Sequence, residues 1–299
     1  MSDPQPIASG SEDLPEDPRE RLREKILEDT PRLGPDDAFR FACRPGISCF
    51  NQCCGDVNIF LSPYDVLRMK RRLGMRSGEF LDKYTILPVH KEMKTPVVVL
   101  RMNDDEAKSC PMVTGEGCSI YSDRPWPCRM YPLGLASQRG APEGGPGGRF
   151  YFLMREQGCR GFDEQPREWT VRQWLDDQGV DAYDYWGDQF KELALHPFFE
   201  DGGTLSPEKM HMFFTACYDL DKFREFVFDS TLLDRFEVDE DLAEEMRYSD
   251  EALLGFAFQW LRFSLFGEQT MKVKPEVAEA FQGKLDKQKL FASRSAKTP

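Results

Sequence analysis

Four cysteines lie within twelve positions of the segment FACRPGISCFNQCCGD, residues 41–56. They are Cys43, Cys49, Cys53 and Cys54, and the last two are adjacent. Soft thiolate ligands select zinc or iron–sulfur centres over magnesium or calcium, and such centres need several thiols at short range. The segment therefore predicts a cysteine-ligated metal or iron–sulfur centre.

The same interpretation extends to three cysteines in SCPMVTGEGCSIYSDRPWPCRMYP and one in REQGCRGF. Glycines flank several of them and permit the turns that converging ligands need. A ninth cysteine, Cys217, is isolated in EKMHMFFTACYDLDKF, and we interpret it as a small buried hydrophobic residue. We expect the other eight to converge as metal ligands: Cys43, Cys49, Cys53, Cys54, Cys110, Cys118, Cys128 and Cys159.

Composition restricts the partners of the chain. It has 299 residues, a net charge of −13 and 40% hydrophobic residues, so it can form a core without help from a metal. The acidic balance argues against nucleic acid and anionic membranes as partners. The first thirty residues lack an apolar run, so we expect no secretory signal and a cytoplasmic location. In the cytoplasm, clustered thiols are more often metal ligands than disulfides.

The pattern along the chain predicts an α+β fold. We expect a small cysteine-rich metal-binding domain of short strands and helices, followed by a helical C-terminal part. The expected boundaries are a mobile acidic tail (1–35), the cysteine-cluster domain (36–165), a helical region (166–267) and a polar C-terminal tail (268–299).

Cap residues predict several helices. In SPYDVLRMKRRLG, Ser62 is a good N-cap, Pro63 suits the first helical position and Gly74 suits the end. Thr170 and Gln173 form a potential capping box. One apolar stripe starts at Ser206–Pro207 and continues past Leu220, which predicts a helix there.

Other patterns predict strands, a loop and a buried helix. Residues 57–61 and 95–102 read as strands, and the Gly/Pro-rich stretch 136–149 reads as a hairpin loop. The longest apolar block, residues 252–267, is too short to span a bilayer and contains Arg262. We expect it to be a buried helix.

The kind of centre is harder to predict, because zinc takes four tetrahedral ligands and a [4Fe–4S] cluster also takes about four cysteines. Adjacent side chains in extended backbone point apart, so Cys53 and Cys54 reach one small ion only through a tight turn. Their spacing matches neither a ferredoxin run nor a zinc ribbon. The surplus of thiols and the scarcity of histidine (His90, His196 and His211) favour [4Fe–4S], with zinc as the alternative.

Two arginines lie close in sequence to Cys128. Four thiolates on Zn²⁺ or on a [4Fe–4S]²⁺ cluster leave a net charge of about −2. Arg124 and Arg129 could offset that charge, or they could pair with surface acids. No Ser/His/Asp or Cys/His arrangement for nucleophilic catalysis is evident in the sequence.

These segments resemble the YkgJ-type family of zinc- or iron-chelating cysteine-cluster proteins. The family signature has a short C-x₂-C-x₂-CC-like cluster and then C-x-IY-xx-RP-xx-CR-xYP. Here the first part departs from it as C-x₅-C-x₃-CC. The resemblance covers roughly residues 39–165. The second part matches at Cys118, Ile120, Tyr121, Arg124, Pro125, Cys128, Arg129, Tyr131 and Pro132.

The resemblance implies binding of an iron–sulfur cluster or zinc through the clustered cysteines. It also suggests a redox role, as an oxidoreductase. One branch of the family resembles flagellin lysine methylases, so a second hypothesis is a cluster-dependent enzyme such as a protein lysine methylase. The sequence carries no Gly-rich dinucleotide or adenosyl-cofactor signature. A third hypothesis is a structural-metal interaction module without catalysis. The sequence leaves open whether the chain is an enzyme.

Overall fold

The structure is a computed structural model that describes residues 31–88, 93–136 and 148–279. The expected acidic tail up to residue 30, most of the expected hairpin loop, His90 and the C-terminal tail from residue 280 lie outside the described residues. The chain divides into two compact units. We call Met1–Ala42 with Met130–Asp177 the strand unit, and Cys43–Arg129 with Gln178–Pro299 the cysteine–helix unit.

The described residues form short strands and many helices, which confirms the α+β expectation. The strands are β1 (Ala38–Phe41), β2 (Phe60–Leu61), β3 (Thr85–Ile86), β4 (Val98–Leu100), β5 (Val113–Thr114), β6 (Gly117–Cys118), β7 (Leu133–Ala136), β8 (Phe150–Leu153) and β9 (Arg167–Thr170). The helices are α1 (Pro63–Leu73), α2 (Ser77–Tyr84), α3 (Trp126–Met130), α4 (Val171–Gln178), α5 (Asp181–Ala194), α6 (Pro197–Glu200), α7 (Pro207–Tyr218), α8 (Leu220–Asp229), α9 (Leu232–Arg235), α10 (Glu240–Tyr248) and α11 (Asp250–Phe266).

All the strand pairs are antiparallel and local to one unit. In the strand unit, β1 pairs with β9 and β7 pairs with β8. The partners Ala136 and Phe150 flank the expected hairpin loop. In the cysteine–helix unit, β4 lies between β2 and β3, and β5 pairs with β6. Sheets this small have little core of their own and need packing against helices or loops.

The predicted helix caps are confirmed. Ser62 and Asp65 form a reciprocal capping box at α1, and Gly74 ends that helix with a φ of 64°. Thr170 and Gln173 exchange hydrogen bonds of 3.0 and 3.2 Å at the start of α4. The predicted apolar helix is α11, which Ser249 caps at its start. Local capping chemistry therefore predicted these ends correctly.

Two sequence expectations differ from the structure. The strands expected at 57–61 and 95–102 are limited to β2 and β4, because only those residues find ladder partners. The stripe that starts at Ser206 forms two helices, since α7 ends at Tyr218 and α8 begins at Leu220. At the break, the Asp219 carboxylate accepts a hydrogen bond of 2.6 Å from the Ser77 hydroxyl.

The main core lies in the cysteine–helix unit and is centred on α11. This helix packs against α5, α7, α8 and α10, and Leu253, Leu254, Ala257 and Leu261 are fully buried. In the part of the chain that the structure describes, no helix is both long enough and apolar enough to cross a membrane.

The same core reaches the cysteine segments. Met112 and Ile120 are buried members of it, and Cys110, Cys118 and Trp126 pack against it. The cysteine segments from residue 43 to 129 therefore share a compact unit with the C-terminal helices. The boundaries expected from the sequence divide the chain at other points, and as domain boundaries they stay a prediction.

A buried ionic network joins the helices of this core. Lys70 on α1 contacts Asp221 at 3.1 Å and Asp250 at 2.9 Å, and Arg224 contacts both carboxylates as well. Burial alone would raise the pKa of Asp250, but the hydrogen bonds and charges of Arg224 and Lys70 outweigh burial and hold the pKa below its usual range. The network stabilises the fold while these carboxylates are ionised.

We expect acid to weaken this network. Because the folded-state pKa of Asp250 is depressed, its contribution is present above the unfolded pKa of about 4 and is lost as pH falls through the folded pKa. Asp250→Asn should cost about 2 kcal/mol of unfolding free energy at pH 7. The loss should shrink as pH falls below about 4. Urea unfolding at several pH values measures this loss of unfolding free energy, and Asp229→Asn, at an exposed position, is the control. A loss that is independent of pH would contradict the assignment.

Candidate metal centre

Backbone hydrogen bonds join the two segments that carry most of the clustered cysteines. The Cys110 N–H donates to the Cys54 carbonyl at 2.8 Å, and the Asp56 N–H donates to the Lys108 carbonyl at 3.0 Å. Gly55 and Ser109 form a β-bridge between them. This pairing brings the adjacent cysteines 53 and 54 alongside Cys110, although more than fifty residues separate them in sequence.

Gly55 is required for this close approach. A Cβ atom at this position would lie 2.7 Å from the Ala107 carbonyl oxygen, closer than real Cβ contacts. A larger residue would push the two segments apart. Because glycine has no Cβ atom, the backbones of Cys54 and Cys110 can approach within hydrogen-bond distance.

A β-hairpin presents Cys118. Val113 and Cys118 are partners in the β5–β6 pair, and Gly117 has a φ of 123°, which favours glycine. The Asn51 side-chain amide donates to the Thr114 carbonyl at 3.0 Å, so the hairpin is tied to the segment that contains Cys53 and Cys54.

A buried carboxylate positions the short helix that carries Cys128. Asp65, 1% exposed, accepts hydrogen bonds of 2.7 Å from the Ser62 N–H and from the Trp126 N–H, where α3 begins. The Trp126 indole also donates to Asp184 on α5 at 2.7 Å. Arg68 on α1 donates to Asp123, just ahead of α3. Sequence analysis missed Asp65 as a site residue, and its capping box with Ser62 was the available signal.

The thiols of Cys53, Cys54, Cys110, Cys118 and Cys128 are electrostatic neighbours. A hydrogen bond with Cys53, together with burial and the nearby Cys128 and Cys110, raises the pKa of Cys54 strongly. Burial, together with the nearby Cys110 and Cys118, raises the pKa of Cys128 to about 12. Cys128 as a whole residue is exposed, whereas its thiol group is surrounded by protein.

Backbone amides face two of the sulfurs. Burial raises the pKa of Cys110, while hydrogen bonds from the Met112 and Val113 amides act in the opposite direction. Burial likewise raises the pKa of Cys118 against a hydrogen bond from the Ile120 amide. Amide donors to sulfur stabilise the thiolate form, which is the form that binds metal. In the metal-free protein these thiols are protonated at neutral pH, so metal binding must release protons.

The donor chemistry fits zinc or iron, because thiolates are ligands that both metals accept. Among the residues that the structure describes, no three or more His, Cys, Asp or Glu side chains form a group that could hold an ion as they stand. Sites of this kind are seldom preformed, and binding energy is used to complete them.

The two arginines near Cys128 are both buried, at 8% and 7% exposure for Arg124 and Arg129. Arg129 donates to the carbonyls of Arg124, Ser122 and Gln178. Arg124 donates to the Gln178 side chain, and its charge lowers the pKa of Cys118 and Cys128. That these arginines offset thiolate charge stays a prediction, and Arg129 uses its donors to hold the turn.

The structure places the remaining predicted ligands differently. Cys43 and Cys49 belong to the same unit as the neighbouring thiols, and Cys159 belongs to the strand unit. Convergence of all eight cysteines therefore stays a prediction. Cys217 is fully buried in the main core, as expected for a small hydrophobic residue. His196 lies just after α5, where its ring accepts a hydrogen bond from the Phe198 N–H.

Residues 42–169 match the CxxCxxCC family, described as a "putative zinc- or iron-chelating domain". This range contains the eight clustered cysteines and excludes Cys217. This segment is therefore similar to that family, which confirms the resemblance found in the sequence and supports a zinc or iron ion as its partner. The match covers less than half of the chain. Comparisons with curated proteins and with solved structures found no match.

Gly55→Ala should weaken metal binding. The added methyl group would separate Cys54 from Cys110, at a cost of about 1–3 kcal/mol for overpacking. Zinc affinity measured by competition with a chromophoric chelator should fall. Gly115→Ala is the matched control, because an added Cβ there meets no atom within 4 Å. Equal affinities for the two variants would contradict the proposed role of Gly55.

Cys128→Ser should lower bound metal per protein and reduce the rise in melting temperature on metal addition. Cys128 has thiol neighbours on two other segments, so its loss removes a central ligand. Metal analysis and thermal melts measure both quantities. Cys217→Ala should retain the metal content, although it loses packing in the core. Unchanged metal content in Cys128→Ser would remove Cys128 from the ligand set.

Proposed function

We propose that the clustered cysteines hold a [4Fe–4S] cluster and that the chain has a redox role. The proposed ligands come from the set Cys43, Cys49, Cys53, Cys54, Cys110, Cys118, Cys128 and Cys159. The observation that carries this proposal is a set of five thiols, at residues 53, 54, 110, 118 and 128, which the backbone pairing of Cys54 with Cys110 and their mutual electrostatic effects place in one region. It contains more thiols than the four of a tetrahedral zinc site and no histidine.

The adjacency of Cys53 and Cys54 favours iron–sulfur over zinc less strongly than the sequence suggests. The Cys54 N–H donates to the Asn51 carbonyl at 3.1 Å, and Asn51 has a φ of 66°, so the pair lies within a tight turn of residues 51–54. The two side chains are hydrogen-bonded to each other. Because such a turn allows both to reach one small ion, the preference for iron–sulfur rests on the surplus of thiols.

The surroundings suit a redox centre. A bound [4Fe–4S] cluster would supply one-electron transfer. Amide donors at Cys110 and Cys118 and the charge of Arg124 would stabilise thiolates, and such groups tune reduction potentials. The residues Cys53 and Cys128 are exposed, which leaves the centre within reach of a redox partner. Such thiols must stay reduced until they are loaded, which fits a cytoplasmic location.

A structural zinc site is the second candidate. Cys110 and Cys118 pack against the main core, so a metal bound there would fasten the cysteine segments to the helices. Zinc has a filled d shell and is redox-silent, so this reading would leave the thiols with a structural or Lewis-acid role.

Anaerobic purification separates the two candidates. We expect a brown protein with broad visible absorption that bleaches on reduction, and acid-labile sulfide in proportion to iron. Metal and sulfide analysis on the same sample give the stoichiometry. A colourless, sulfide-free protein with stoichiometric zinc would overturn the iron–sulfur proposal and with it electron transfer through the centre.

A further inference from the structure

Arg124 is a buried cation with two unused hydrogen-bond donors. Its residue is 8% exposed, and its Nη2 donates to the Gln178 side chain. Its Nε and Nη1 atoms are buried and have no hydrogen-bond partner. Leaving charged donors unsatisfied in the interior is destabilising, so such an arrangement calls for an explanation.

The surroundings of Arg124 provide no countercharge among the described carboxylates. The guanidinium carbon lies 3.7 Å from the centre of the Tyr121 ring, which covers one face. The groups that respond to its charge are the thiols of Cys118 and Cys128. Arg124 lies on the short stretch of chain between Cys118 and Cys128, and its charge acts on the two sulfurs at which negative charge would develop on metal binding.

Arg129 shows what a purely structural arginine looks like in the same turn. All three of its guanidinium nitrogens donate to backbone carbonyls, those of Arg124, Gln178 and Ser122. Its donors are satisfied without any metal. Loss of Arg129 should therefore weaken the fold itself, whereas Arg124 has donors that the metal-free fold does not use.

We propose that Arg124 is a positioning residue of the metal centre, whose charge and unused N–H donors stabilise the sulfurs of Cys118 and Cys128 once they are thiolates. The inference rests on the proposed function only in requiring a thiolate centre here, with either zinc or iron. Four thiolates give such a centre a net charge of about −2. A buried guanidinium offsets part of that charge, and charge-assisted hydrogen bonds are stronger than neutral ones.

The test uses the reduced, metal-free full-length protein and Zn²⁺ as probe, in competition with a chromophoric chelator. Arg124→Met, which removes charge and donors but retains bulk, should weaken zinc binding by about tenfold or more. Arg124→Lys should recover most of the affinity. The melting temperature of metal-free Arg124→Met should be unchanged or higher, because a buried unsatisfied cation has been removed.

Arg129→Gln is the matched control and should lower the metal-free melting temperature. Arg124→Met that binds zinc as tightly as the wild type would overturn the inference. A large drop in the metal-free melting temperature of Arg124→Met, with no recovery of affinity in Arg124→Lys, would also overturn it by showing a structural role. If the wild type bound neither zinc nor iron, the proposed function itself would fail, a result distinct from a defect confined to the Arg124 variants.

Discussion

The buried carboxylate of Asp65 is the contact on which the arrangement of the centre depends. One oxygen completes the cap of α1 through Ser62, and the other receives the Trp126 N–H at the start of α3. Burial raises the pKa of Asp65 against these hydrogen bonds. Desolvating a carboxylate is costly, and the cost is met here by donors from two segments that are far apart in sequence. Together with the Trp126–Asp184 and Arg68–Asp123 hydrogen bonds, this side chain sets the position of Cys128 relative to the main core.

The second constraint is charge. In the metal-free protein, burial and mutual proximity keep the neighbouring thiols protonated, while Arg124 is buried without a full set of partners. Both features are unfavourable on their own. Under the proposal for Arg124, each would become favourable when the thiols lose their protons to a bound metal, because thiolate charge would then face a fixed cation.

Sequence predicted the local features well and the long-range ones poorly. The caps at Ser62, Gly74 and Ser249 follow from short-range chemistry and are present. The break at Asp219 depends on the distant Ser77, and no local signal indicates it. The cysteines and Arg124 were evident from the sequence as candidate site residues, because clustered thiols bind soft metals and a nearby guanidinium group can offset thiolate charge. The anchors Asp65 and Gly55 were not, because their roles arise only once segments far apart in sequence are packed together.

The pairing of Cys54 with Cys110 divides the cysteine motif into a rigid part and an adjustable part. From residue 44 to residue 54 the backbone hydrogen bonds are local turns, each spanning three residues, such as Phe50 to Ile47 and Gln52 to Cys49. Extra residues there can be absorbed by one more turn, whereas Gly55 fits against Ala107 with no room to spare. Added residues ahead of Cys49 should therefore leave the pairing of Cys54 with Cys110 in place. The departure of this chain from the short family spacing lies in that tolerant stretch.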